Sequence, residues 1–178
     1  MAGGFRPVQD LGGGSYTGKV VTYGVDSGHA TLLAVGDLVR ITGQSDANGL
    51  QEVDAAAAAQ LITGCIVAID RNISNLEQSG LPASTAGTVK VAVDRMMLME
   101  APTSTTVAAG DVGRNSEIVA TAATASGGLV NSNMTVNTST SIAATAQIRI
   151  EGLKDGGTAA GSTIYCRINE STFDTVGI

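Results

Sequence analysis

Apolar residues recur along this chain in short, mostly β-branched runs, and most runs end at Gly, Asn or Asp. Two of them, residues 38–41 and 61–69, flank a polar insert and are bounded by Gly36-Asp37, Gly43, Asn48-Gly49 and Gly64. Runs punctuated in this way predict strands joined by tight turns. Residues 19–23 (Lys-Val-Val-Thr-Tyr) predict another strand, and 61–69, apolar throughout, predicts one buried on both faces or at a subunit contact. Val89, Val91 and Val93 alternate with Lys90, Ala92 and Asp94, which is the period of a half-buried strand. Near the end, Ile148 and Ile150 alternate with Gln147, Arg149 and Glu151, and Ile164, Cys166 and Ile168 alternate with Tyr165, Arg167 and Asn169. The pair predicts a hairpin with one dry and one wet face across a flexible loop at 154–162. Only Asp54, followed by five alanines, suggests helix: one capped turn, or else a close approach of two backbones.

The fold class that follows is all-β, with one or two small β-barrel or sandwich domains and a flexible N-terminal arm. Residues 1–18 read as the arm, being rich in glycine (Gly3, Gly4, Gly12, Gly13, Gly14, Gly18) with few anchors. It is either a disordered terminus or an arm that orders on a neighbour, with Phe5 and Arg6 as its contacts. Residues 19–96 read as an N-terminal β-barrel-like domain and 97–178 as a C-terminal β domain. The boundary comes from the Thr/Ser/Ala-rich composition of 101–146, and from the way Ala109-Gly-Asp-Val-Gly113 echoes Val35-Gly-Asp-Leu-Val39. Residues 70–87 read as a long connection. Met96, Met97 and Met99, three methionines in four residues, make either a core strand or an adaptable protein-contact strip.

Composition sharpens this picture. Apolar residues make up 43% of the 178, yet aromatics only 3%, and there is no Trp. An Ala/Val core gains less per side chain at roughly 25 cal/mol per Å2 of apolar area, so the chain is expected to lean on backbone ladders and on neighbouring subunits. Ten Lys+Arg against sixteen Asp+Glu give a net charge of −6, which argues against nucleic acid as a partner. No apolar run approaches the ~18 residues of a membrane span, and the start lacks the apolar core of a signal peptide, so a cytoplasmic origin and no membrane partner are expected. For Cys65 and Cys166 a bridge stays open, but each lies in an apolar strand-like run, which favours packed free thiols.

Residues 13–20 come within one residue of a phosphate-binding loop, but Val20 stands where the magnesium-binding hydroxyl belongs, and a strand rather than a helix follows. His29 is the only histidine, and no cluster around it has metal-ligand or triad spacing. The carboxylate pairs Glu52/Asp54 and Asp94/Glu100 read as solvated turn or strand-edge groups. The expectation is no enzyme, with no catalytic, cofactor-binding or metal-ligating residues. A ligand-binding or enzymatic reading would need a pocket holding His29 or a carboxylate pair.

One resemblance stands out. Val35-Gly-Asp-Leu-Val39, then Gln44-x-Asp-Ala-Asn-Gly49, Val53-Asp-Ala-Ala56 and Leu61-Ile-Thr-Gly-Cys-Ile-Val67 resemble capsid decoration (cement) proteins of tailed bacteriophages. Residues 109–115, the Ser/Thr-rich stretch to 146, Gln147-Ile-Arg-Ile-Glu-Gly-Leu153 and Cys166-Arg-Ile-Asn169 are similar to the C-terminal part of such head proteins. The resemblance covers roughly residues 30–170, and its motifs are turns and core positions. It implies a mostly β, oligomeric protein (trimer or dimer), assembled in the host bacterial cytoplasm and resident on the capsid outer surface of the virion. There it would clamp neighbouring copies of the major capsid protein by many modest, repeated contacts, with Phe5, Arg6, Met96, Met97 and Met99 as capsid or subunit contacts. The alternative is another virion structural module, such as a head fibre or tail component.

Overall fold

A computed structural model describes residues 3–70, 77–142 and 145–174. The chain forms thirteen strands: β1 (Arg6–Asp10), β2 (Val20–Val25), β3 (Leu38–Ser45), β4 (Gln51–Ala55), β5 (Gly64–Ile69), β6 (Gly87–Ala92), β7 (Met97–Pro102), β8 (Asn115–Val119), β9 (Thr124–Ser126), β10 (Leu129–Asn131), β11 (Thr135–Ile142), β12 (Ile148–Leu153) and β13 (Thr163–Ile168). Among the described residues helix is confined to three single turns of 3-10 type. Among the described residues no helix is long and apolar enough to cross a membrane.

Strands β2–β6 close into a barrel in the order β2-β4-β3-β5-β6. Its pairings are antiparallel except at the seam, where β2 meets β4 in parallel through Gly24 and Glu52. Alternation decides what lies inside. Val39, Val53, Val89, Val91, Tyr23 and Val25 point inward with Leu33, Ile66 and Leu81, whereas Arg40, Thr42 and Asp54 remain exposed or half-exposed. Tyr23 is the lone aromatic in this core.

The second half is a six-stranded sheet in the order β1-β7-β13-β12-β8-β11. The predicted hairpin is β12–β13, with Ile148 opposite Ile168 and Ile150 opposite Cys166, all buried. The sheet curls until β11 meets the extension of β7. Thr103 and Val136 form a parallel bridge there, and Ser104 N–H donates to the Val136 carbonyl at 2.9 Å.

The two halves share one core. Leu38, Ala56, Ile62, Cys65 and Ala92 of the barrel side cluster with Met97, Met99, Ile118, Ile148, Ile150, Ile164 and Cys166 of the sheet. A polar joint lies beside this core. Gln147, fully buried, accepts from Ile118 N–H at 3.1 Å and donates to the carbonyls of Ala57 (2.8 Å) and Gln60 (2.6 Å). Ile62 also bridges to Ser171 in parallel register, with Ile62 N–H on Glu170 O and Thr172 N–H on Ile62 O, each at 3.0 Å.

Two expectations change. The arm of residues 1–18 is not free along its length, because Arg6–Asp10 is the edge strand β1, paired with β7. Pro7 is tolerated because an edge strand leaves its nitrogen facing outward. The helical turn expected after Asp54 is absent: Asp54 and Ala55 finish β4 opposite Arg40 and Val39, since the ladder supplies more hydrogen bonds than one isolated turn could. The Thr/Ser-rich stretch contributes β8 and β11 to the main sheet. Part of the connection expected at 70–87, and the end of the C-terminal tail, lie outside the described residues.

Candidate docking interface

The β1–β7 ribbon carries three of the five predicted contact residues, Arg6, Met97 and Met99, and the other two, Phe5 and Met96, immediately precede its strands. Arg6 pairs with Glu100 at one end and Asp10 with Met97 at the other, about 13 Å away at ~3.3 Å per residue. Leu11 N–H donates to Met96 O at 2.7 Å just beyond.

The side chains divide by face. Phe5 is 2% exposed, Met97 1% and Met99 0%, all within the shared core. Phe5 is fixed through its backbone, its N–H donating to Gly36 O at 2.8 Å and its carbonyl accepting from the Cys65 thiol at 3.2 Å. As surface contacts these three are corrected: their side chains fill the space between barrel and sheet and cannot also meet a partner. Arg6 and Met96 remain at the surface, Met96 half exposed.

Each end of the ribbon opens into a groove. At the Arg6 end a groove of about 510 Å3 runs between Gly4, Val35, Glu100, Pro102 and Lys154. Glu100 is the hub: its Oε1 accepts from Lys154 Nζ at 2.8 Å and its Oε2 from the Arg6 guanidinium. Burial pushes the Glu100 carboxyl up, but the hydrogen bonds and charges of Lys154 and Arg6 outweigh it, leaving the group below its ordinary value. Two cations on one carboxylate leave one net positive charge at the rim.

At the other end a groove of about 650 Å3 is lined by Met96, Phe173, Val93, Lys19, Asp94 and Arg167. Met96 and Phe173 are both about half exposed. Lys19 pairs with Asp94, and Arg167 Nε donates to Glu151 at 2.6 Å. The Lys19 hydrogen bond and the Met96 N–H hold the Asp94 carboxyl below its usual range. Apolar side chains ringed by fixed charge form the anatomy of a protein contact, with a dry centre and polar rim. The lysine of the near-miss phosphate loop is thus committed to an ion pair, and β2 follows the loop as expected.

A third, smaller pocket of about 150 Å3 lies on the outside of the barrel between the 26–29 turn and the β3–β4 hairpin. It brings together His29 and the carboxylates Asp26, Glu52 and Asp54, with Thr42 and Gln44. The sequence named His29 and the Glu52/Asp54 pair separately. Their meeting follows from the parallel seam, which sets Gly24 beside Glu52 and drops the turn after β2 onto β4. No local signal announces a parallel pairing between segments almost thirty residues apart. Phe173 and Lys154 were missed too, since neither lies in a periodic run. Among the described residues no three His, Cys, Asp or Glu side chains are placed to hold a metal ion.

No protein-family model matches this chain, and no curated protein matches it.

Proposed function

We propose that this protein is a structural virion component that docks on the outer surface of a tailed-phage capsid and clamps neighbouring major capsid subunits, acting as a trimer or dimer and without enzymatic activity. The observation that carries the reading is that the segment resembling cement proteins is also the segment that seats the docking ribbon. Gly36 accepts the Phe5 N–H, while Leu38, Ile62 and Cys65 supply the barrel's share of the core under β7. One rigid body therefore presents two separated grooves, one cationic at Arg6 and one apolar at Met96 and Phe173. A clamp needs two contact points at a fixed distance, and each can be weak because a shell repeats it many times. A Thr/Ser-rich stretch would suit a fibre, but here it supplies β8 and β11 to the main sheet, which favours the compact clamp.

The test is co-sedimentation with capsid shells lacking the protein, expanded and unexpanded. Saturable binding to expanded shells alone is expected. Met96→Asp, at an exposed site, is expected to weaken it about tenfold, the scale of losing one apolar anchor. Failure to bind either shell overturns the reading.

A further inference from the structure

The small pocket outside the barrel has an unusual balance of hydrogen-bonding groups. Asp26, Glu52 and Asp54 all line it, and among the described residues none is paired with a cation. Arg40 faces Asp54 across β3–β4 without an ion pair between them. Asp26 accepts only from the neighbouring Ser27 hydroxyl, at 3.3 Å, and Asp54 Oδ1 only from Ala55 N–H, at 2.7 Å. Glu52 is 7% exposed and no side-chain hydrogen bond reaches its carboxylate.

His29 supplies an independent observation. It is 5% exposed, and its Nε2 lies 3.0 Å from the Thr85 carbonyl oxygen. A carbonyl only accepts, so Nε2 carries a proton, and the imidazole tautomer with that proton has its acceptor lone pair on Nδ1. That atom is buried and has no partner. Buried polar atoms are nearly always satisfied, so a buried acceptor without a donor marks a place a donor is meant to reach. Thr42, which also lines the pocket, already donates its hydroxyl to Glu52 O at 3.2 Å. The pocket therefore offers acceptors in excess, under net negative charge, in a space the size of a side-chain head group.

We propose that this pocket receives the cationic head of a lysine or arginine side chain from a docking protein, with Glu52 as the charge partner and His29 Nδ1 as a further acceptor. Charge complementarity selects the occupant. An ammonium or guanidinium brings several N–H donors and one positive charge, whereas a metal ion would need three ligating groups in place, which the site lacks. The inference rests on the virion reading only for the identity of the docking protein.

His29 gives the assay, because as the only histidine it yields a single set of ring signals. The full chain, 13C-labelled, is titrated with methylguanidinium chloride against sodium chloride at equal ionic strength. A saturable shift of the His29 ring signal is expected. Glu52→Gln, which keeps shape and removes charge, is expected to weaken it about fivefold or more, the scale of one charge-assisted hydrogen bond. Asp54→Asn, at a half-exposed position, serves as a second variant with the same expected direction if the first does not fold. A shift that never saturates, one unchanged in both variants, or saturation by magnesium or calcium ahead of methylguanidinium overturns the proposal. Saturation by the probe together with no binding to either capsid shell would retain the pocket and remove the virion reading, so the two fail separately.

Discussion

Gly4 separates two uses of glycine that look alike in the sequence. It sits at φ +92°, and a Cβ there would lie 2.4 Å from the Ser132 side chain and 2.8 Å from Gly36 O. Gly3 is as tight, with Ser132 O 2.4 Å from its would-be Cβ. These residues thread the chain between two loops so that Phe5 can reach the core. Gly12 has open space and no positive φ. Gly4→Ala is accordingly expected to cost about 2–3 kcal/mol, combining left-handed strain with a backbone clash, while Gly12→Ala stays within about 0.5 kcal/mol. Urea unfolding midpoints of the two variants check this. Equal midpoints would mean that residues 3–5 behave as a free arm after all. Asp37 shows a related economy in the turn that precedes β3. Its Oδ2 accepts from Ala34 N–H at 2.7 Å, just as Asp111 Oδ2 accepts from Ala108 N–H at 2.8 Å. In both turns the aspartate N–H also returns to the same alanine's carbonyl. The echo between the two Gly-Asp motifs is thus one turn used twice, and burial pushes the Asp37 carboxyl above its ordinary value despite the Ser132 hydroxyl and the Ala34 amide.

At the scale of elements, the joint around Gln147 ties the barrel side to the sheet. Its amide satisfies Ile118 N–H, Ala57 O and Gln60 O together, in a fully buried setting. Gln147→Leu keeps the volume and strands Ile118 N–H and Gln60 O, while Ala57 O retains Gln60 N–H at 3.4 Å, so a loss of about 2–4 kcal/mol is expected, each orphan costing about 1–3 before relaxation. A thermal or urea midpoint indistinguishable from wild type would show that water replaces the amide. The same joint explains what could be read in advance. Strands β6, β12 and β13 were legible because each carries a period-2 pattern, and β2 because its Val-Val-Thr-Tyr run is rich in β-formers. The five alanines were not: they hold no pattern, and their path is set from outside by Gln147, by Glu117 accepting from Ala59 N–H at 2.9 Å, and by Ala59 itself at φ +60°. Met97 and Met99 could be read either way from sequence, and burial decides for core. Arg6, named from the Gly-rich arm, and Met96, named from the methionine run, both stay at the surface. The His29 pocket and Phe173 were not legible, since each depends on strands paired far apart along the chain.

For the whole molecule, the question is whether barrel and sheet are two domains or one folding unit. The composition break near residue 97 suggests two. The shared core suggests one: Leu38, Ile62, Cys65 and Ala92 cluster with side chains of β7, β8, β12 and β13. Separating the halves would expose both sides of that contact at roughly 25 cal/mol per Å2, and a core this poor in aromatics has little to spare. The two cysteines report on it directly. Cys65 lies on β5 of the barrel and Cys166 on β13 of the sheet; both are free and fully buried. Burial pushes both thiols well above their ordinary range, so little reactive thiolate forms in the folded state. Both are expected to resist alkylation in buffer and to become reactive at one common urea concentration, coincident with loss of the β-sheet circular-dichroism signal, as cooperative unfolding requires. Cys65 reacting at lower urea than Cys166 would mean that the barrel opens first and the halves are separate domains. In that case the two grooves would not be held at a fixed distance, and the clamp would lose its rigid span.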